Sequence, residues 1–537
     1  MVNAVAGTGH LIRLILRRDR VVLPLWIVWL AAMPANFAAT FPALHPGAAE
    51  RSAFARTSNG NAALVALYGP VHSADIGGLV AWRISIATVI VALVSLLTVI
   101  RHTRTEEEAG RRELLGAAPI GRYAALAAAL VVACAANLLL AVLVGVGLTA
   151  LGLPVAGSFA LGLQFAACGW VFAAVGAVAA QLTTGAGAAR GLAAAVLGAA
   201  VLARISGDLS SHTGGRLGWL SWSSPVGWAM RLRPYADERW WVLGPSIAAA
   251  ATLVAAAVVL CGRRDLGAGL LAAGRGPAAG APGLRSALAL AWRLHRGQLA
   301  GWTVGFAVAG AVLGAAAGGA VEMLVDNPAL RDLFARLGGA TGLTDLFLAT
   351  IVGLFGMGAT GYAIAAALRL RTEETSLRAE SLLATAVPRL RWATSHLAFT
   401  LGGPVVVLAS AGLAMALAHG AGGGGDIGGH VLRLLAAVLA QLPAVWLLAA
   451  IAVALVGLAP RLADTAWAVL AVAALLSLFG AILQLPRVLL DVSPFSHLPS
   501  LPGGQVSVVP MLWLLALAVA LAAAGLLGLR RRDLPVG

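Results

Sequence analysis

Apolar runs of about 20 residues recur along nearly the whole of this chain, each long enough to cross a hydrocarbon core as a helix. Lipid offers no water to backbone N–H and C=O groups, so such a run must satisfy them within itself, as a helix does. The runs are too long and too continuous for the alternating strands of a membrane barrel. Hydrophobic residues are 60% of the chain and charged residues 11%, against roughly 25% charged in a soluble domain. The reading is an all-α polytopic membrane protein with about 12 transmembrane helices, one per apolar run. The spans are predicted near 21–41, 79–100, 122–150, 158–181, 187–207 and 241–261, then 299–321, 346–368, 393–418, 431–458, 464–486 and 508–529.

A charged segment interrupts this pattern twice. Arg104-Thr105-Glu106-Glu107 continues through Arg111 and Glu113 to Leu115, and Arg371-Thr372-Glu373-Glu374 continues through Arg378 and Glu380 to Leu382. Other pairs keep the same order along both halves: Arg20 and Trp26 with Arg296 and Trp302, Phe54-Ala55-Arg56 with Phe334-Ala335-Arg336, and Ser224-Pro225 with Ser493-Pro494. The series closes with Arg263-Arg264-Asp265-Leu266 and Arg531-Arg532-Asp533-Leu534. The chain therefore reads as two parallel six-span repeats, a recurring way to build transporters. The first half is 1–262, a Gly-, Ala- and Pro-rich cytoplasmic linker is 263–285, and the second half is 286–537.

The net charge of +15 resembles a nucleic-acid signature, but its distribution points to a membrane. All 37 basic residues are arginine, and most fall in the segments assigned to one side of the spans. Such asymmetry orients membrane proteins and places both termini in the cytoplasm, with no nucleic-acid partner implied. Arginine without lysine, with abundant Ala and Gly, points to a GC-rich bacterial genome and so to the bacterial inner (plasma) membrane. Each half opens with an amphipathic, Arg-bearing stretch, 11–20 and 284–296, suited to the lipid interface. Short helices are expected in the loops 42–78 and 322–345. The tryptophans of the loop 208–240 suit an aromatic belt.

The absence of lysine excludes a P-loop, so no ordinary nucleotide-hydrolysing site is expected. His, Cys and carboxylate spacings form no metal-ligand set and no disulfide framework. Thr105 with Glu108 matches a capping box, which predicts a helix start there with acidic residues in its first turn. Glu107–Arg111, Glu108–Arg112 and Glu374–Arg378 have the spacing of favourable i,i+4 pairs. Each charged segment thus reads as a short, solvated helix between two spans. Along the second span of each half runs a mildly polar stripe, Ser85, Thr88, Ser95 and Thr98, then Thr350, Gly353, Met357 and Thr360. Such a stripe suits either an amphiphile's path or close helix packing.

These residues carry a resemblance to the type-2 ABC export permeases, and within them to the duplicated actinobacterial exporters of polyketide antibiotics. Its carriers are the two Arg-Thr-Glu-Glu segments, the Ser-Pro pairs before each half's last span and the Arg-Arg-Asp-Leu motifs after it. The resemblance implies an ATP-driven exporter of hydrophobic or amphiphilic small molecules, antibiotics and drugs among them. ATP and Mg would be bound by a separate ATPase subunit, present in two copies, and no cofactor by this chain. It also implies that the charged segments dock on that ATPase through Arg104, Glu106, Glu107, Arg111 and Glu113, and through Arg371, Glu373, Glu374, Arg378 and Glu380. Ser85, Thr88, Ser95, Thr98, Thr350, Met357 and Thr360 would line the substrate path between the halves. The competing classes are an ion-coupled secondary transporter, which needs ionisable residues at mid-membrane depth, and a membrane-embedded enzyme, which needs a reacting pair within the spans.

Overall fold

The computed structural model describes residues 4–44, 46–111, 119–212, 214–265, 267–271, 283–325, 339–423, 427–479, 486–505 and 507–533. Among these residues there is no strand, and 12 helices are long and apolar enough to cross a membrane. The chain is an all-α polytopic membrane protein. It divides into two compact units, Met1–Gly276 and Pro277–Gly537. The first unit holds spans Val22–Pro42, Ala87–Glu108, Ala124–Ala150, Val155–Leu182, Ala186–His212 and Trp240–Arg263. The second holds Ala287–Ala315, Phe347–Thr375, Arg389–Gly420, Gly428–Leu458, Pro460–Leu478 and Val508–Arg531.

Within each unit the fourth span is central, packing against the second, third and sixth. Small residues let the backbones approach. On Val155–Leu182 a side chain at Gly162 would stand 2.3 Å from the Ala141 carbonyl oxygen, one at Gly169 would stand 2.4 Å from Asn137, and one at Gly176 would stand 2.8 Å from the Leu96 carbonyl. The repeat of seven keeps all three on one helix face. In the second unit Gly310 and Gly314 place the first span equally close to the Ala411 and Met415 carbonyls of the third. Close backbone contact is how helices associate in lipid, where apolar surface gains nothing by leaving lipid for protein.

The two units open differently. In the first, helix Thr8–Arg18 is separate from the span and buries Leu11 and Ile15. A turn follows at Asp19, whose carboxylate meets His102 at 2.6 Å and Arg101 at 3.0 Å. In the second unit the amphipathic stretch is not a separate helix, because Ala287–Val325 runs unbroken into the membrane. His295 occupies the place of Asp19 and pairs instead with His396, at 2.9 Å.

Short helices Ala48–Gly60 and Ala62–Tyr68 fill the first unit's loop as expected, while most of 322–345, including Phe334-Ala335-Arg336, lies outside the described residues. The start of the predicted linker is strapped to its own unit: Leu271 N–H donates to the Leu182 carbonyl at 2.8 Å. Residues 272–282 of the linker lie outside the described residues. Trp219 and Trp241 are 61% and 60% exposed, as indoles of an aromatic belt would be.

Candidate functional site: a charged clasp repeated at the ends of the second spans

The Arg-Thr-Glu-Glu parts of the charged segments do not start separate helices at a capping box, although Arg378–Leu383 of the second segment does form a short helix of its own. In the first unit the second span runs through a π-helical stretch, Arg101–Thr105, directly into Glu106–Glu108. Thr105 caps nothing, and its hydroxyl donates back to the Ile100 carbonyl at 3.3 Å. In the second unit Gly339–Thr375 includes the whole Arg-Thr-Glu-Glu motif. The glutamates therefore sit in the last turn of a helix, the unfavourable end of its dipole, at a cost of about 0.3–1 kcal/mol each. A capping-box pattern signals a start only where the preceding residues are not already helical.

What holds glutamate there is arginine from elsewhere in the unit. Glu107 is buried and accepts from Arg264 at 2.6 and 2.8 Å, one N–H to each carboxylate oxygen, and from the Gly267 N–H at 2.7 Å. Arg104, 1% exposed, lies 3.2 Å from the same carboxylate. Its remaining donors reach the Thr184, Gly267 and Ala268 carbonyls at 3.0, 3.1 and 3.1 Å. Arg264 also donates to Gln181 at 2.6 Å. Arg122 fixes Arg264 by donating to its carbonyl at 2.8 Å. Bidentate arginine–carboxylate bonding of this kind is among the stronger polar contacts available.

The second unit repeats the core of the arrangement, with one arginine–glutamate bond in place of the two-pronged one. Arg532 is ion-paired to Glu374, and Arg389 donates to the Arg532 carbonyl at 2.8 Å. Arg371 reaches Asp464, in the turn after the fourth span, at 3.0 Å, much as Arg104 reaches Thr184 in the corresponding turn. The Arg-Thr-Glu-Glu and Arg-Arg-Asp motifs, separate repeats in the sequence, are thus bonded to each other in both units. Arg122, Arg389, Arg264 and Arg532 were missed as site residues. The signal was available, because Arg122 and Arg389 recur at the offset that relates Glu107 to Glu374, and Arg264 and Arg532 hold the same place in the repeated Arg-Arg-Asp motif.

Two of the three expected i,i+4 pairs give way to these partners, and Arg112 of the third lies outside the described residues. Glu107 bonds Arg264 rather than Arg111, and Glu374 bonds Arg532 rather than Arg378. Glu108 accepts from the Ala186 N–H at 2.8 Å and so caps the fifth span. Buried arginines with several further donors outcompete exposed neighbours, whose pairs are worth only about 0.3–0.5 kcal/mol.

Of the predicted docking residues, Arg104, Glu107, Glu373 and Glu374 are turned inward. Glu106 faces outward enough to pair with Arg18 and, at 3.0 Å, with Arg111. Arg111, Arg378 and Glu380 are exposed, with Arg378 3.4 Å from Glu373. Glu113 lies outside the described residues. A left-handed residue follows the Arg-Thr-Glu-Glu helix in each unit, Gly110 at φ 70° and Leu377 at φ 59°. Leu377 is 43% exposed.

The polar stripe divides in the same way. Ser85 donates to the Tyr68 carbonyl at 2.8 Å, Thr88 accepts from Gln164 at 3.2 Å, and Ser95 accepts from Asn137 at 3.0 Å. These three are buried and face helices of their own unit, which corrects their placement on a path: they are interhelical hydrogen bonds. Thr360 is also buried and donates to its own helix at Gly356, 3.0 Å away. Thr98 and Met357 are half-buried and Thr350 is exposed.

Membrane-length helices in two units, each bound at one end by the same arginine–glutamate clasp, define a polytopic permease with internal duplication. A family model for the C-terminal domain of the multidrug efflux system permease Rv1217c matches residues 284–530. Over 528 residues the chain is 44% identical to the multidrug efflux system permease protein Rv1217c of Mycobacterium tuberculosis (strain ATCC 25618 / H37Rv), covering 98% of this chain and 95% of that protein. The chain belongs to this family of multidrug efflux permeases.

Proposed function

We propose that this chain is the membrane subunit of an ATP-driven exporter of hydrophobic or amphiphilic drugs, with the ends of its second spans docking on a separate ATPase. The observation that carries the reading is the doubled clasp. In each unit it locks the second span to the end of the sixth, and leaves a charged bend, Gly110-Arg111 or Leu377-Arg378, standing out of the packed end. A rigid, projecting bend at the end of a span can pass a partner's displacement into the membrane, where a loose loop would absorb it.

In this reading ATP and Mg are held by the partner, in two copies, and both termini are cytoplasmic at the bacterial inner membrane. In this reading Thr98, Thr350 and Met357, the stripe residues that are not buried, line the substrate path. The likeness to polyketide exporters rests on the sequence motifs and concerns substrate only. Ion-coupled transport has less support, since the buried charges among the described residues gather towards the span ends, where a mid-membrane relay would not.

The test is reconstitution. The purified chain should hydrolyse no ATP, and adding the ATPase subunit encoded with it should give hydrolysis stimulated by apolar drugs. Hydrolysis by the chain alone, or export driven by a proton gradient without ATP, would overturn the reading.

A further inference from the structure

At the opposite ends of the first unit's spans from the clasp lies a cavity of about 280 Å³. Arg231, Arg233, His72 and Asp208 line it, with Val65 and Met230 as apolar wall. Arg204, 2% exposed, stands behind Asp208 at 3.6 Å. The one lining carboxylate among the described residues is already engaged. Asp208 accepts from Ser221 at 2.8 Å and lies 3.8 Å from Arg231. The Nε atoms of Arg204, Arg231 and Arg233 have no hydrogen-bond partner, nor does Nη1 of Arg204. Burial, then Arg239 and Arg231, push the Arg233 guanidinium below its usual range. Clustered cations in a partly dry cavity are costly unless an anion joins them.

The backbone holds this cluster in place. Arg233, Tyr235 and Asp237 all have positive φ, at 54°, 63° and 51°, a conformation that costs non-glycine residues of order 1–3 kcal/mol each. Tyr235 anchors the loop. Its ring fills the space beside Gly77 and Gly157, and its hydroxyl lies 2.9 Å from Ser158. At the rim Arg231 lies over Trp222, 4.5 Å from the ring centroid, and Trp222 stacks on the exposed Trp241 at 5.6 Å. Trp241 sits at the start of the span Trp240–Arg263, so this stack is level with the bilayer interface.

We infer that this cavity binds the phosphate of an amphiphile's headgroup, with Arg231 and Arg233 on the phosphate oxygens and the acyl part along the Trp222–Trp241 stack. Guanidinium forks match phosphate oxygens two at a time. The second unit does not repeat the two arginines at the corresponding positions. At the offset that maps Ser224 to Ser493, the places of Arg231 and Arg233 fall on Ser500 and Pro502. The inference is independent of the coupling reading, because it concerns binding at the other end of the spans.

The test uses the full chain in non-ionic detergent, with short-chain phosphatidylglycerol as probe and indole fluorescence as readout. Wild type should bind saturably. Arg231→Gln with Arg233→Gln should weaken binding at least tenfold. Ser211→Glu should do the same, since Ser211 is an exposed lining residue and the change adds negative charge while leaving every arginine in place. That variant keeps the test valid if the double variant fails to fold. Arg216→Gln, exposed and away from the cavity, should bind normally. Competition by inorganic phosphate at similar concentration would assign the site to free phosphate, and no competition would assign it to a lipid headgroup. Equal binding of diacylglycerol or oleate, or unweakened phosphatidylglycerol binding by both cavity variants, would overturn the phosphate assignment.

Discussion

Leu377 is where the second unit departs from the first at the bend after the second span. It holds φ 59° where the first unit has Gly110 at φ 70°. A left-handed backbone costs a residue with a Cβ roughly 1–2 kcal/mol and costs glycine little. The strain is kept although the side chain is exposed, so it gains little from packing inside its own unit. In the coupling reading that side chain is an apolar contact for the ATPase. Leu377→Gly should therefore raise stability, by up to about 1 kcal/mol after the greater backbone entropy of glycine is subtracted, while lowering drug-stimulated hydrolysis in the reconstituted complex. Thermal unfolding and ATPase assays on the same preparation separate the two effects. If stability rises and coupling is unchanged, Leu377 has no part in docking.

At the scale of elements, the clasp decides where the second span ends and what it moves with. Removing one partner leaves the other charge buried, which typically costs 3–5 kcal/mol. The dipole penalty of about 0.3–1 kcal/mol is small beside that. Glu107→Gln and Arg264→Gln should each sharply reduce the folded fraction, and the double variant should cost less than the two together. A double-mutant cycle read by unfolding in detergent checks this, and additive losses would refute the pairing. The clasp also marks the limit of what was legible in the sequence. The spans, the duplication and both motifs could be read there, because hydrophobic run length and repeated order are local or linear signals. That Glu107 bonds Arg264 could not be read from helix spacing, because the two lie 157 residues apart. The Thr105–Glu108 pattern misled because a cap signature carries no information on whether the chain before it is already helical. Ser85, Thr88 and Ser95 misled because a polar stripe looks the same facing a path or facing Asn137 and Gln164.

For the molecule as a whole, the duplication places two clasps in one chain but surrounds them differently. The first unit ties its entry helix to the second span through Asp19, His102 and Arg101, and through Arg18 to Glu106. The second unit has an unbroken entry helix, and at the corresponding place His295 meets His396. Thus the first bend is tied to a separate helix through Glu106, whereas the second is tied through Glu373 to Arg369 of its own span. If both bends receive force from an ATPase, reversing the exposed charge at one should leave the other working. Arg111→Glu alone, and Arg378→Glu with Glu380→Arg alone, should each leave partial drug-stimulated hydrolysis and partial export. Combining them should abolish both while the chain still inserts, since these side chains are exposed and outside the buried bonds of the clasp. The first-unit change should weaken coupling more, because Arg111 shares Glu106 with Arg18 and its reversal also disturbs the docked entry helix. Export from proteoliposomes carrying each variant, with insertion checked by protease protection, measures this order. Full coupling in the combined variant would mean that the partner grips the chain elsewhere, and equal losses from the two single-unit changes would mean that the entry helix has no share in transmission.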